Sequence, residues 1–359
     1  MFSRLAQLFK AKPEQPPATA RIEPLGVEVP VTKGRTILDA ALDKSVAFPN
    51  NCRVGGCGTC RCRLVEGEVK QLTDSSYVLS AEEIAAGWIL GCQSVPRSPS
   101  VTVEVPGLGD PSTTHPVVTT QATVASLKSL THDILELTLK LDAPITFTAG
   151  QSADLSVPGV TDAPRSYSFA RWRGAGPTTA AVFHVRKVLG GQFTTWLHEK
   201  AKVGDAIHFS GPKGSFHLRP GSGPMLFVAG GSGLAPVLAM LEQAEDEGVQ
   251  RDARFYFGAR TQKDLYAVAD IERVARGWRG KFEFVPMLSE EPEGGDWKGR
   301  RGLVTEGIAD LGAALTDHHA WLCGPPAMID AAVAKLSASG LNPDRVSVDR
   351  FTDRSHTHG

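Results

Sequence analysis

The 359-residue sequence predicts a multidomain protein with an α+β unit, an antiparallel β-barrel and a final α/β unit built on a parallel sheet. Three observations lead to this fold class. The chain is too long for one ordinary domain. Short alternating strands separated by turn residues dominate residues 117–220, which is typical of a small antiparallel barrel. In residues 221–351, apolar strand-like runs alternate with helical stretches, which indicates a parallel sheet with flanking helices.

The composition excludes several classes of protein. Apolar residues make up 42% and charged residues 21% of the chain, which is typical of a globular protein. The formal net charge of −1 provides no overall attraction for nucleic acid, so we expect no nucleic-acid partner. Six cysteines are too few for a disulfide scaffold of this length.

Residues 1–20 form an arm with two interpretations. Its apolar side chains lie close to one helical face among basic residues, before a proline-rich break. The arm is either a frayed tail or, through residues 1–12, an amphipathic anchor on a membrane surface or a partner. We see no secretory signal here and expect a cytoplasmic protein, peripheral at the inner face of the membrane under the second interpretation.

Residues 21–108 form the predicted α+β unit. GVEVPVTKG and RLVEGEV have strand patterns, whereas TILDAALDKSV and LSAEEIAAG have helical patterns. A stretch rich in Pro, Gly, Ser and Thr follows, so we place a linker at 109–116. The barrel and the α/β unit come next, and residues 352–359 form a C-terminal tail.

One charge-free stretch needs a separate interpretation. The 17 residues from Met225 to Leu241 carry no charge, and that length approaches a membrane span. A glycine-rich turn and Pro236 interrupt the stretch. We therefore predict a buried strand followed by a helix.

Four cysteines lie within residues 52–62. The spacing Cys52-x4-Cys57-x2-Cys60 is that of a plant-type [2Fe-2S] loop, which needs a fourth, distant thiolate. Cys92 is the candidate for that ligand. Cys62 lies two residues beyond Cys60 on a predicted strand, and we interpret it as a small core side chain.

Glycine allows the chain to wrap around such a cluster. Gly55, Gly56 and Gly58 adopt positive φ at low cost, and the wrapped backbone directs N–H groups at the cluster sulfurs. Zinc is an alternative occupant, but zinc sites usually pair two short chelating hairpins, and this loop has one CxxC. A buried reduced cysteine cluster is the remaining alternative.

Four further segments indicate a function only when they occur together in one chain. They are RSYS at 165–168, GGQFT at 190–194, GGSGLAP at 230–236 and CGPPAM at 323–328. The third follows an apolar strand and opens a helix, so a pyrophosphate can approach its backbone and the positive helix end. It is not the GxGxxG fingerprint. A lone RxYS or Cys-Gly-Pro-Pro is more often an ordinary edge strand or turn.

Together with the thiol loop, these segments resemble the oxygenase electron-transfer reductases of the ferredoxin–NADP reductase superfamily. The resemblance covers essentially the whole chain. It implies a ubiquitin-like ferredoxin domain carrying a plant-type [2Fe-2S] cluster, then a flavin-binding barrel, then a nicotinamide-binding α/β domain. The cofactors it implies are the [2Fe-2S] cluster, FAD and NADH.

The resemblance also implies roles for barrel residues. Arg165 would pair with the flavin pyrophosphate, the Tyr167 ring would lie against the isoalloxazine, and the Ser168 hydroxyl would reach N5. A strand would line the flavin ring with Phe183, His184 and Val185. The second segment would cradle phosphate at a helix start with Gly190, Gly191, Gln192, Phe193 and Thr194, the last standing where serine is common.

In the last domain the resemblance implies a nicotinamide site. The pyrophosphate turn would consist of Gly230, Gly231, Ser232 and Gly233. Cys323, Gly324 and Pro325 would lie beside the nicotinamide. The aromatic ring of Phe351 would cover the flavin, although eight residues follow it in the sequence. Ser168, Cys323 and Phe351 are therefore the candidate catalytic residues.

The choice of dinucleotide depends on Arg260. This residue follows a predicted strand and is the candidate site for the 2′-phosphate of NADPH. The surrounding GARTxxDLY pattern, however, resembles oxygenase reductases that use NADH. We therefore expect NADH.

The predicted function is electron transfer from NADH to FAD, then to the [2Fe-2S] cluster, then to an oxygenase or hydroxylase component. The resemblance favours a membrane-bound di-iron hydroxylase as the acceptor. The alternatives are a soluble di-iron or Rieske oxygenase and a deoxysugar dehydratase. A hypothesis of a different class is a redox sensor that holds the cluster without turnover.

Overall fold

A computed structural model describes residues 16–44, 46, 48–50, 53–56, 58–106, 108, 115–312 and 315–351. The chain divides into two compact units, residues 1–110 and 111–359. The second unit contains both the barrel and the parallel sheet.

The first unit is built on a five-stranded sheet with the order β2-β1-β7-β3-β5. Strands β1 and β7 are parallel and the other pairs are antiparallel. Strands β4 and β6 form a separate antiparallel pair. The strands are β1 Ala18–Glu23, β2 Val27–Val31, β3 Arg61–Glu66, β4 Val69–Gln71, β5 Trp88–Leu90, β6 Ser94–Pro96 and β7 Ser100–Glu104.

The described part of this unit has two short helices, and each begins at a polar cap. Helix α1, Ile37–Asp43, begins after Thr36, whose hydroxyl accepts a hydrogen bond from the Asp39 amide at 3.1 Å. Helix α2, Ala81–Ala85, begins with a capping box between Ser80 and Glu83. Alternate strand residues and the apolar face of α1 form one buried core.

The first half of the second unit is a six-stranded antiparallel sheet with the order β11-β10-β13-β8-β9-β12. A bridge between Phe169 and Phe183 joins its edges and closes it into a barrel. The strands are β8 Val118–Ser129, β9 Ile134–Ile145, β10 Ser152–Ser156, β11 Arg165–Ser168, β12 Thr178–Arg186 and β13 Ala206–Lys213. Helix α3, Gln192–Glu199, follows β12.

The second half is a six-stranded parallel sheet with the order β17-β16-β15-β14-β18-β19. Its strands are β14 Met225–Gly230, β15 Ala253–Ala259, β16 Phe282–Leu288, β17 Arg300–Arg301, β18 His319–Gly324 and β19 Val346–Arg350. Its helices are α4 Leu234–Asp246, α5 Val268–Gly277, α6 Val304–Ala309 and α7 Pro326–Ala338. Helices α4 and α5 cover one face, and α6 and α7 cover the other.

The strand order reverses between β14 and β18. The chain builds outward from β14 to β17 and then returns to place β18 on the other side of β14. Ligands of open α/β sheets bind at the carboxyl ends of the strands at such a switch point. The ends of β14 and β18 are therefore the expected ligand site of this sheet.

The barrel and the parallel sheet pack closely at the start of α4. Ala170 and Val182 of the barrel form a fully buried cluster with Ala235 of α4. The indole N–H of Trp321 donates to the His217 carbonyl at 2.8 Å. The small side chains of Ala170, Val182 and Ala235 let the start of α4 approach the barrel wall. None of the described helices is both long and apolar enough to cross a membrane.

Candidate cofactor sites

The first unit brings two of the predicted cluster ligands together. Cys60 ends the loop before β3, and Cys92 lies in a 3-10 turn after β5. The Gly91 amide donates to the Cys60 carbonyl at 2.9 Å, so the two segments are adjacent. Both cysteines are buried. Cys52 and Cys57 lie outside the described residues.

Polar groups around these cysteines fit an anionic cluster. The side-chain Nε2 of Gln93 donates to Cys92 Sγ at 3.6 Å and to the Cys92 carbonyl at 2.9 Å. The Thr59 hydroxyl, beside Cys60, is buried without a hydrogen-bond partner in the described structure. A buried hydroxyl without a partner is costly, so Thr59 is a candidate donor to a cluster sulfur.

The loop conformation also fits. Gly55 and Gly58 have φ of 84° and 74°, which glycine adopts at low cost. A Cβ at Gly58 would lie 2.8 Å from Val78 Cγ1. Cys62 is a buried core side chain, as expected, and burial raises its pKa.

In the second unit, the RSYS segment forms strand β11 at the barrel edge. The Arg165 guanidinium donates to the carbonyls of Ala163 and Pro164 at 3.2 and 3.0 Å. No ion pair of the described residues involves Arg165, so its charge is available to an anion. The Tyr167 ring lies 5.1 Å from the Phe193 ring, and Ser168 is buried where β11 ends.

The next strand, β12, presents its predicted residues to different surroundings. The side chains of Phe183 and Val185 belong to the barrel core, so they offer a flavin only their backbone. The His184 side chain faces the other way. Its Nε2 lies 3.4 Å from Glu136 Oε2, and its ring meets the Tyr266 ring edge-on.

Burial lowers the pKa of His184 against the opposing effect of Glu136. This shift favours the neutral imidazole, whose Nε2 can donate to that carboxylate. Its Nδ1 is buried without a hydrogen-bond partner among the described residues. That atom is therefore the polar group of β12 best suited to a ligand.

The GGQFT segment forms the turn into α3. Gly190 has φ of 71°, and a Cβ there would meet nothing within 4 Å. The Thr194 hydroxyl is buried and bonds within its own turn, accepting from the Val188 amide at 3.2 Å. The Gln192 amide exchanges two hydrogen bonds with Asp162. These side chains order the turn.

The GGSG and CGPP turns meet at the switch point. Gly230 ends β14 and Gly324 ends β18. A Cβ on Gly324 would lie 3.2 Å from the Gly230 backbone, and one on Gly233 would overlap the Cys323 carbonyl oxygen. The Tyr266 hydroxyl donates to the Gly231 carbonyl at 3.1 Å and fixes the turn.

Cys323 and Phe351 lie at the same edge of the sheet. Cys323 is fully buried, and burial, followed by the nearby Asp349 carboxylate, raises its pKa well above the usual range. Its side chain is therefore a neutral thiol. The Phe351 amide donates to the Gly324 carbonyl at 2.9 Å, and its ring packs against the same core as Cys323.

Arg260 lies just past β15 between two acidic groups. Its guanidinium is 3.2 Å from Asp264 and 3.8 Å from Asp133. These carboxylates offset the positive charge that a 2′-phosphate would need.

Several residues at these sites belong to none of the predicted motifs. Gln93 and Tyr266 lie beside motif residues in space, and Gln93 follows Cys92 directly in the sequence. Both side chains carry polar groups and are buried, which marks them as site residues in the structure. The sequence alone does not show burial, so it could not identify them.

Three family descriptions match this arrangement. A 2Fe-2S iron-sulfur cluster binding domain matches residues 20–97, an oxidoreductase FAD-binding domain matches 121–218, and an oxidoreductase NAD-binding domain matches 227–334. The fold and these domains define a flavin- and iron-sulfur-containing oxidoreductase. They confirm the predicted fold class and the three cofactors: the [2Fe-2S] cluster, FAD and NADH.

Individual relatives cover nearly the whole chain. The xylene/toluene monooxygenase electron transfer component XylA of Pseudomonas putida is 38% identical over 355 residues, which is 98% of each chain. The phenol 2-monooxygenase reductase component DmpP of a Pseudomonas species is 36% identical, over 92% of this chain and 93% of the relative. This chain belongs to the family of oxygenase reductase components.

A solved structure agrees with this assignment. The Amycolatopsis cytochrome P450 reductase GcoB is 34% identical, with a TM-score of 0.78 over 94% of this chain and 99% of the other. The ferredoxin reductase of a carbazole 1,9a-dioxygenase is 28% identical, with a TM-score of 0.68 over 93% and 98%. The similarity extends over both units of the chain.

Proposed function

We propose that this chain oxidises NADH and delivers the electrons, one at a time, to an oxygenase or hydroxylase component. The observation that carries the proposal is the meeting of two turns, Gly230–Gly233 and Cys323–Pro325, at the switch point of a sheet packed on the barrel. When bound, FAD accepts a hydride and releases single electrons, which a [2Fe-2S] cluster accepts one at a time.

The barrel residues hold the flavin. Arg165 binds its pyrophosphate, because this guanidinium lacks an ion-pair partner in the described structure. Tyr167 would cover the ring system, and Ser168 would donate to N5 from a buried position that excludes water. The backbone of residues 190–194 contacts phosphate, with the Thr194 hydroxyl ordering the turn.

The parallel sheet holds the dinucleotide. The Gly230–Gly233 turn lets the pyrophosphate approach the start of α4. Cys323, Gly324 and Pro325 form the wall beside the nicotinamide, and the thiol acts there as a neutral group. Phe351 lies next to that wall, where its ring can cover the flavin before NADH enters.

Cys52, Cys57, Cys60 and Cys92 hold the cluster. Gln93 and Thr59 donate hydrogen bonds to sulfur, which stabilises its negative charge. NADH is preferred over NADPH because Asp133 and Asp264 offset the Arg260 charge.

Turnover with a small acceptor tests this function. Protein loaded with both cofactors should reduce cytochrome c with NADH faster than with NADPH. The variant Cys92→Ser should lose this reaction and keep NADH-dependent reduction of ferricyanide, which can take electrons from the flavin directly. Negligible reduction of both acceptors by the intact protein would favour the redox-sensor hypothesis instead.

The acceptor we propose is a di-iron hydroxylase in a membrane. The support is the 38% identity to the xylene/toluene monooxygenase component over 98% of this chain, together with the amphipathic pattern of residues 1–12. That segment lies outside the described residues. Such contact would place the protein at the inner face of the membrane.

Liposome sedimentation tests the membrane contact. Vesicles containing anionic lipid should retain the full chain better than a chain lacking residues 1–12, and neutral vesicles should reduce the difference. Equal retention of the two chains would remove the anchor and favour a soluble oxygenase as acceptor.

A further inference from the structure

A network of charged side chains joins the barrel to the parallel sheet at the far end of α4. Arg171 of the barrel contacts Glu242 of α4 at 3.1 Å and Asp270 of α5 at 2.7 Å. It also contacts Glu136 of β9 at 3.4 Å. The Arg171 and Glu242 side chains are only 18% and 11% exposed. These ion pairs are therefore partly shielded from water and salt.

Glu242 is the centre of this network. Its Oε1 accepts from Arg171 and, at 3.1 Å, from Arg273 of α5. Its Oε2 accepts from the Trp172 backbone amide at 2.9 Å. One carboxylate thus binds two consecutive barrel residues and a neighbouring helix. The Trp172 indole adds a hydrogen bond to Asp246 at 3.0 Å.

Two groups of the network, Glu136 and Arg171, have shifted pKa values. The hydrogen bond from His184, and then the charge of Arg171, lower the pKa of Glu136 to about 2 against the effect of burial. The carboxylates facing Arg171 raise its pKa against burial. Glu136 and Arg171 therefore stay ionised under ordinary conditions.

Apart from the contact of Glu136 with His184, the network lies outside the candidate cofactor residues. It borders a cleft of about 450 Å³ whose lining includes Glu136, Arg171 and Glu242. The lining includes neither the Gly230–Gly233 turn nor Cys323. Its role in the reaction must therefore be indirect.

The network nevertheless lies on the same elements as the flavin motif that ends at Ser168 and the nicotinamide turn that ends at Gly233. Arg171 follows Ser168 by three residues on the same run of barrel backbone. Glu242 follows Gly233 by nine residues, about 13 Å along α4. Helix α4 is thus held at its start by Ala170 and Val182, and near its other end by Glu242 together with its neighbours Gln243 and Asp246. A helix fixed at two points cannot tilt away from the barrel.

We propose that Glu242 is a positioning residue that sets the placement of the nicotinamide turn relative to the flavin face of the barrel. The inference rests on the proposed function of these two sites. Loss of the Glu242 charge would weaken the attachment of this end of α4 to the barrel, where Gln243 and Asp246 also contact it, while leaving the pyrophosphate turn intact. The hydride-transfer rate should then fall much more than the affinity for NADH.

Glu242→Gln and Glu245→Gln form a matched pair for the test. Both substitutions remove one carboxylate from α4, and both residues bind Arg273, but only Glu242 contacts the barrel. Anaerobic stopped-flow mixing with NADH gives the limiting rate of flavin reduction and the apparent Kd. The limiting rate of Glu242→Gln should fall at least about tenfold, because misplacement by about 1 Å costs as much as 100-fold.

The other measured values should change little. The apparent Kd of Glu242→Gln should stay within about threefold of wild type, and Glu245→Gln should stay within about twofold in both parameters. Flavin content and thermal midpoint serve as folding controls. Arg171→Lys should react faster than Arg171→Met, because it restores the charge although not the forked geometry.

Defined outcomes overturn the inference. An unchanged limiting rate in Glu242→Gln would do so, as would equal slowing in Glu245→Gln. If Glu242→Gln does not fold, Asp270→Asn removes a single Arg171 contact and should still slow the reaction; a wild-type rate there would also count against the proposal. Failure of NADH to reduce the wild-type flavin would instead refute the proposed function.

Discussion

At the scale of single residues, side chains outside the motifs set the properties of those inside them. Gln93 donates to the sulfur of Cys92, and Tyr266 donates to the Gly231 carbonyl. Thr194, which is a motif residue, uses its hydroxyl to order its own turn. We therefore expect the buried neighbours of a motif to influence how tightly a cofactor is held and at what potential.

Gln93→Leu should lower the reduction potential of the cluster. The substitution removes a hydrogen bond to the Cys92 sulfur, and such bonds stabilise the reduced, more negative cluster. A bond worth about 1 kcal/mol corresponds to about 40 mV for a one-electron couple. A redox titration followed by EPR gives the value. Gln71→Leu, on the neighbouring strand β4, is the control, and equal shifts in both variants would contradict the role of the hydrogen bond.

Cys323 should react as a thiol and never as a thiolate across the ordinary pH range. Burial and the Asp349 carboxylate raise its pKa, so raising the pH to about 9 should leave it protonated. The ratio of NADH oxidation rates of wild type and Cys323→Ala should therefore be constant from about pH 6 to 9. A ratio that changes with an inflection near the ordinary thiol pKa would show that Cys323 ionises.

At the scale of secondary-structure elements, the turns after β14 and β18 depend on each other. The sequence analysis explains the glycines of the turn after β14 by the need of a pyrophosphate to approach the backbone. The structure adds a second reason, since Gly233 lies against the Cys323 carbonyl and Gly324 lies against Gly230. Neither turn can change shape without moving the other.

Gly233→Ala should weaken NADH binding without loss of FAD. The new Cβ would overlap the Cys323 carbonyl oxygen, so the two turns must separate at a cost of about 1–3 kcal/mol. The KM for NADH should rise by about tenfold or more. Gly176→Ala is the control, because a Cβ there meets nothing within 4 Å. A normal KM in Gly233→Ala would show that the turn is not the binding site.

The strands can be predicted from the sequence more readily than the contacts that their side chains make. Apolar runs located β14, β15, β16 and β18, because buried parallel strands are continuously hydrophobic. The two-residue alternation of β12 did not show that Phe183 and Val185 face the barrel core, since alternation separates two faces without saying which meets a cofactor. The contact of Arg171 with Glu242 spans 71 residues and leaves no local pattern.

At the scale of the whole molecule, the order of domains follows the order of redox chemistry in reverse. The N-terminal unit holds the one-electron site, and the second unit holds both the flavin barrel and the sheet for NADH. Within the second unit, an apolar contact and a charged network both join the barrel to the sheet. Hydride transfer thus takes place within one compact unit, which suits a reaction that requires close placement.

The number of electrons that the protein accepts tests this organisation as a whole. A flavin takes two electrons and the cluster takes one, so full reduction should need about 1.5 equivalents of NADH per chain. An anaerobic titration should show loss of flavin absorbance together with a cluster EPR signal. In Cys92→Ser, which lacks a predicted cluster ligand, the end point should fall to about one equivalent with the flavin still reduced. An end point of one equivalent in both proteins would mean that the cluster receives no electrons from the flavin, and that the two units work independently.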